Sequence, residues 1–135
     1  GWHSDQTGLD APQPKNVRTL GFVPRDELDA LYSCAEIFCF PSLLEGFGLP
    51  VVEAMGHGTA VITSLATSTE EVAGDAGVLI DPLDVDALAS AIESLLADDE
   101  RRARLGAAGW ERAMGYTWDR CAELTEAVYA EALGR

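Results

Sequence analysis

Between Asp26 and Glu100 the sequence has no lysine and no arginine, although sixteen acidic residues fall there. Lys15, Arg18 and Arg25 come earlier, and the other six basic residues all lie from Arg101 onward. With a formal net charge of −14, the chain is a poor direct partner for nucleic acid or an anionic bilayer. Long apolar runs are also missing. No stretch approaches the ~20 residues of a membrane helix, and no basic-apolar-small signal opens the chain. Cysteine is scarce: Cys34, Cys39 and Cys121 are an odd set, two of them inside apolar patterns. That predicts buried free thiols in a reducing cytoplasm rather than disulfides. His3 and His57 have no ligand-like spacing to a cysteine or to each other, which sets zinc aside. No Gly-x-Ser-x-Gly elbow, Cys–His signature or internal repeat is present.

At 135 residues and 47% hydrophobic content, the chain reads as one domain with one core. Residues 1–16 mix Gly, Pro, Ser, Asp and Gln without periodicity and read as loop. Strands are expected at Val17–Phe22, Glu36–Phe40, Ala60–Thr63 and Gly77–Ile80. Asp26 is the expected cap of a helix over Glu27–Cys34, and a second helix is expected over Gly48–His57. Ser68-Thr69-Glu70-Glu71 has the form of a capping box, starting a short helix that stops near Gly74. Asp84, Asp98 and Thr117 each start a further helix. Strands alternating with helices at these lengths imply parallel crossovers, hence an α/β, Rossmann-like doubly wound sheet followed by C-terminal helices.

The chemistry concentrates in Glu45-Gly46-Phe47-Gly48-Leu49-Pro50-Val51-Val52-Glu53. A strand ends before this run and a helix begins within it, so backbone N–H groups point out of a helix N-terminus where the dipole favours an anion. Pro50 suits the first helical turn, which needs no donor there. Two carboxylates bracket the turn, a pattern suited to a ligand with both a phosphate and sugar hydroxyls. Glu53 sits among apolar Val51, Val52, Ala54 and Met55, where an unpaired charge costs about 3–5 kcal/mol. The Gly46-x-Gly48 pair lacks the third glycine of a dinucleotide fingerprint, so NAD is weakly supported.

Glu45 and Glu53 with seven residues between them, Gly-Phe-Gly-Leu-Pro among these, resemble the donor motif of family 4 retaining GT-B glycosyltransferases. Leu20-Gly21-Phe22-Val23-Pro24, Leu28-Asp29-Ala30-Leu31-Tyr32 and Phe40-Pro41-Ser42 precede it in the family's order. Glu53-Ala54-Met55, Gly58-Thr59, Glu71-Val72-Ala73-Gly74-Asp75-Ala76-Gly77 and Asp81-Pro82 follow it. The resemblance implies the C-terminal, donor-binding half of a cytoplasmic, metal-independent enzyme without a cofactor, using a nucleotide-diphosphate sugar to transfer a hexose. It gives Glu53 the ribose hydroxyls and Glu45 the donor sugar, with Glu45 an unlikely nucleophile. It gives the backbone of Gly46, Phe47, Gly48 and Leu49 the phosphates, and that of Val23 the base. Phe47 speaks for a site, because a turn alone has no use for a large ring.

The family carries an Arg and a Lys for the diphosphate upstream of this region, a segment not found here. Gly1-Trp2 is similar to the run that follows the family domain's first strand, so residues 1–135 read as a fragment lacking that strand and the N-terminal acceptor domain. The opening leans towards the mannosyltransferase-like branch. From the fragment reading follow four expectations. The isolated chain is inactive, and with only a helix dipole of ~0.3–2 kcal/mol it binds a nucleoside diphosphate weakly. Thr117–Leu133 is left without the surface its counterparts cross, and two copies form a homodimer through exchanged or paired edges. The alternatives are a sugar-nucleotide epimerase of the same two-domain architecture and a non-catalytic nucleotide-binding or assembly module. The sequence also departs from the family's pattern at Thr67–Glu71, Gly56-His57 and Ala60, beside the donor site, which leaves the substrate open.

Overall fold

The computed structural model describes residues 14–134; Gly1-Trp2 and most of the expected N-terminal loop lie outside them. Three parallel strands, β1 (Ile37–Phe40), β2 (Ala60–Ser64) and β3 (Gly77–Ile80), lie side by side in chain order. Every residue of β2 is buried, as a central parallel strand covered on both faces must be. Its alternating side chains feed two cores. Val61 joins Val51, Ala54 and Met55 of α2 (Leu49–Gly56) and Val72 and Ala73 of α3 (Ser68–Ala73). Ile62 joins Ile80 and Leu95, with Leu88, Ala91 and Ile92 of α4 (Val85–Leu96) packed around them. The chain is thus an α/β fold, a parallel sheet with helices on both faces.

Helix α5 (Asp99–Ala113) ties the two cores together, since Leu105 packs against the second and Ala113 belongs to the first. Between them Gly106 passes the backbone of Gly58 so closely that an added Cβ would lie 2.1 Å from its carbonyl oxygen. Arg112, near the end of α5, donates from Nε to the Val72 carbonyl and from Nη2 to the Glu71 carbonyl, both at 2.6 Å. A cation thereby caps the last turn of α3, where the helix dipole favours one.

The caps at Asp84, Asp98 and Thr117 form as expected, each side chain accepting from the backbone N–H three residues on. Two other cap expectations fail. Helix α1 (Arg25–Cys34) starts after Pro24, with no side-chain cap from Asp26. The cap of α3 is Thr67 rather than Ser68, because the Ser68 hydroxyl donates to the Glu45 carbonyl at 2.9 Å. The reaching carboxylate shifts by one as well, and Glu70 accepts from the Ala66 N–H at 2.6 Å.

Val17–Phe22 forms no strand, and Phe22 is 94% exposed. A strand exists only by pairing, and among the described residues neither β1 nor β3 has a neighbour on its outer edge. The cysteines are free thiols as expected, but their expected burial fails: Cys34, Cys39 and Cys121 are all exposed. Cys39 lies on the sheet's outer strand, and Cys121 on α6 (Trp118–Ala132). Helix α6 buries no residue at all, leaving Trp118, Leu124, Val128 and Tyr129 exposed.

Candidate functional site

The carboxyl ends of β1 and β2 and the amino end of α2 meet where the Glu45–Glu53 motif lies. Ligands in open parallel sheets bind at this end of the strands. Gly48 is the N-cap of α2 at φ 102°, a left-handed conformation that disfavours a side chain. It is also pressed onto α3, since an added Cβ would lie 2.8 Å from Thr69 Cγ2. Thr69 is buried, and its hydroxyl is 2.7 Å from that of Thr67. The turn is therefore held from behind by packing. Among the described residues, the N–H groups of Gly46, Phe47, Gly48 and Leu49 donate to no protein acceptor. Val51 and Val52, one turn into the helix, both donate to the Gly48 carbonyl. A row of free backbone donors at a dipole's positive end is chemically an anion cradle.

Glu45 is half-buried, accepting from the Ser42 hydroxyl at 3.0 Å while its own carbonyl accepts from Ser68. Ser42 is fixed in turn, because its N–H donates to the Ser64 hydroxyl at 2.7 Å. Serines at the ends of β1 and β2 and at the start of α3 thus set the direction of Glu45. Phe47 has a structural partner, contrary to the reading of its ring from sequence. It meets Tyr116 edge-on at 5.6 Å between ring centroids, which pins the turn to the segment after α5.

Glu53 is not the unpaired charge its apolar neighbours imply. Its Oε1 accepts from Arg25 Nη1 and its Oε2 accepts from the Tyr32 hydroxyl at 3.2 Å. The basic residue comes from before the acidic stretch, carried onto α2 by the packing of α1. Arg25 Nε also pairs with Asp29 Oδ1 at 3.0 Å, one turn along α1. The Tyr32 ring is wedged between Phe38 and His57, at 5.3 and 5.8 Å between centroids, and is only 5% exposed. Val23, expected at a strand end, is half-buried in the loop just before α1, two residues from the arginine on Glu53. Arg25, Tyr32, Ser64 and Ser68 were not expected at the site from sequence, because nothing local links them to the motif. Tyr32 and Ser42 did stand within the quoted family matches.

Burial pushes the Tyr32 phenol from 10.0 up to about 12, helped by the negative charge of Glu53 and the hydrogen bond to it and opposed by Arg25. The phenol is neutral when protonated, so a folded-state pKa above the unfolded value stabilises the fold fully below about pH 10. That contribution is lost as pH rises from about 10 through about 12. Unfolding free energy measured across this alkaline window is expected to fall less steeply in Tyr32→Phe than in the wild type. Equal slopes would show that Tyr32 ionises as freely folded as unfolded.

The sequence pattern of the family described as "Glycosyl transferases group 1" matches residues 9–112. The chain belongs to this family. It is 44% identical over 113 residues to the O-antigen chain mannosyltransferase B of Escherichia coli, covering 84% of this chain and 30% of that protein. It superposes on the sucrose-phosphate synthase of Thermosynechococcus elongatus with a TM-score of 0.73 and 34% identity, covering 85% of this chain and 30% of that one. The C-terminal domain of a glycosyl transferase group 1 family protein from Francisella tularensis matches with a TM-score of 0.64 and 30% identity. That likeness covers 70% of this chain and 50% of the Francisella domain. The group 1 chain thus spans about a third of the curated relative's length and half of a solved C-terminal domain. Among the described residues no helix is long and apolar enough to cross a membrane.

Proposed function

We propose that this group 1 domain binds the nucleoside-diphosphate end of an activated hexose, as the donor half of a retaining glycosyltransferase. The observation that carries the reading is the free row of N–H groups from Gly46 to Leu49, with Glu45 and Glu53 held on either side. A diphosphate takes the row, where protein donors replace water at a helix N-terminus. Glu53 accepts from ribose hydroxyls, and Glu45, fixed by Ser42, accepts from hydroxyls of the sugar. Val23 contributes backbone to the base, just before α1. In transfer the bond between the anomeric carbon and the phosphate oxygen breaks, an acceptor hydroxyl forms the new bond, and its proton leaves with the diphosphate. This needs no metal or cofactor from the chain itself. The acceptor site and the cations for the diphosphate fall to the rest of the protein. The similarity to a mannosyltransferase favours a mannosyl donor.

Titration calorimetry of the whole protein with UDP, GDP and ADP tests the reading. One of the three is expected to bind and the corresponding nucleotide sugar to lose its sugar only when an acceptor is supplied. Sugar conversion without an acceptor would favour epimerisation, and no binding by any of the three would sink the donor site.

A further inference from the structure

A carboxylate has room for about four hydrogen bonds, two on each oxygen. Among the described residues each oxygen of Glu53 has one protein donor: Arg25 on Oε1 and Tyr32 on Oε2. The two donors come from one helix, α1, while Glu53 sits on another, so the carboxylate plane is set by how α1 packs on α2. The Glu53 side chain remains 26% exposed, so solvent still reaches it. We infer that Arg25 and Tyr32 are positioning residues that hold one oxygen each, leaving one acceptor direction on each oxygen for the two hydroxyls of a vicinal diol.

The two donors differ in kind. Arg25 is 61% exposed on a long flexible stem, and its guanidinium is a fork able to take both oxygens of a carboxylate at once. Such a bidentate grip would cover the acceptor directions that a diol needs. The Tyr32 hydroxyl, on a ring fixed by Phe38 and His57, donates to Oε2, while Arg25, whose Nε is paired with Asp29, reaches only Oε1. Its raised pKa keeps that hydroxyl protonated, hence a donor, throughout neutral pH. Tyr32 therefore orients Glu53, and Asp29 turns the guanidinium away from a two-oxygen grip. Arg25 compensates a carboxylate that has no other cation beside it among the described residues.

This inference rests on the donor-site reading of Glu53, and comparing each nucleotide with its 2′-deoxy counterpart separates the two. In the whole protein, whichever of UDP, GDP and ADP binds is titrated alongside its 2′-deoxy form. Loss of one hydrogen bond to a charged group predicts about ten- to hundredfold weaker binding of the deoxy form by the wild type. Tyr32→Phe keeps the packed ring and is expected to shrink that ratio several-fold, chiefly by weakening the ribonucleotide. Arg25→Met, on an exposed side chain, is expected to shrink it too, and Arg25→Lys to restore it in part. A residue that merely supports the fold would weaken both nucleotides equally and leave the ratio alone, which would overturn the positioning role. A wild-type ratio near one would overturn the ribose reading and the positioning role with it. Strong wild-type discrimination surviving in both Tyr32→Phe and Arg25→Met would overturn the positioning role alone.

Discussion

Glu53→Ala in the whole protein is expected to weaken nucleoside-diphosphate binding by about 1.5–3 kcal/mol, the worth of charge-assisted hydrogen bonds. That is about ten- to hundredfold in Kd. The fold should feel the change as well, because Glu53 is the acceptor for two donors rather than an isolated buried charge. Arg25 is exposed and turns to water. Tyr32 is a buried residue, and its hydroxyl, part-buried beside Glu53, is left without that partner, at a cost of about 1–3 kcal/mol. Adding Tyr32→Phe to Glu53→Ala removes the stranded hydroxyl and should recover most of the stability while recovering none of the affinity. Calorimetry and urea unfolding on the same variants separate the two effects. Unchanged nucleotide binding in Glu53→Ala would remove the residue from the site.

Gly106→Ala is expected to cost more stability than a methyl added at Gly109 or Gly58. A Cβ there would stand 2.1 Å from the Gly58 carbonyl oxygen, a backbone atom that cannot swing aside as a side chain does. Alanine favours a helix over glycine by about 1 kcal/mol. Overpacking costs typically 1–3 kcal/mol and more where only backbone can move. Repulsion should therefore win, with a net loss of about 2 kcal/mol or more as α5 is pushed off α2 and β2. Gly109→Ala is a graded control, because its Cβ would meet the Met55 side chain at 3.3 Å, which can adjust. Gly58→Ala meets nothing within 4 Å, and its cost comes only from φ at +74°. Urea midpoints for the three should place Gly106→Ala clearly lowest. A Gly106→Ala protein as stable as wild type would mean that α5 does not approach the Gly58 turn this closely.

Features of this domain that depend on neighbours in the chain were legible in its sequence. Alternation of short apolar runs with 3.6-residue periodicity fixed three of the four expected strands and the order of the helices, because the pattern of burial is written residue by residue. The caps at Asp84, Asp98 and Thr117 needed only a side chain and a backbone N–H three residues away. The glycine turn before α2, with Pro50 in its first turn, followed from the φ that Gly48 must adopt and the donor that proline lacks.

What required tertiary structure was every feature settled by a competition between distant partners. Val17–Phe22 has the composition of a strand, but a ladder needs a second strand, which local sequence cannot supply. Ser68 fits the cap rule, but a carbonyl 23 residues earlier takes its hydroxyl, and the cap moves to Thr67. Cys39 reads as core, yet it lies on an outer strand of the sheet, where one flank is left open among the described residues. The charge balance of the site shows the limit most clearly. Read linearly, Glu53 lies in a long stretch without a single cation. Folding brings Arg25 from 28 residues away and Tyr32 from 21, because α1 and α2 pack on the same side of the sheet. Sequence determined that a carboxylate would stand beside this turn, and packing decided which groups hold it and how much of it is left for a ligand.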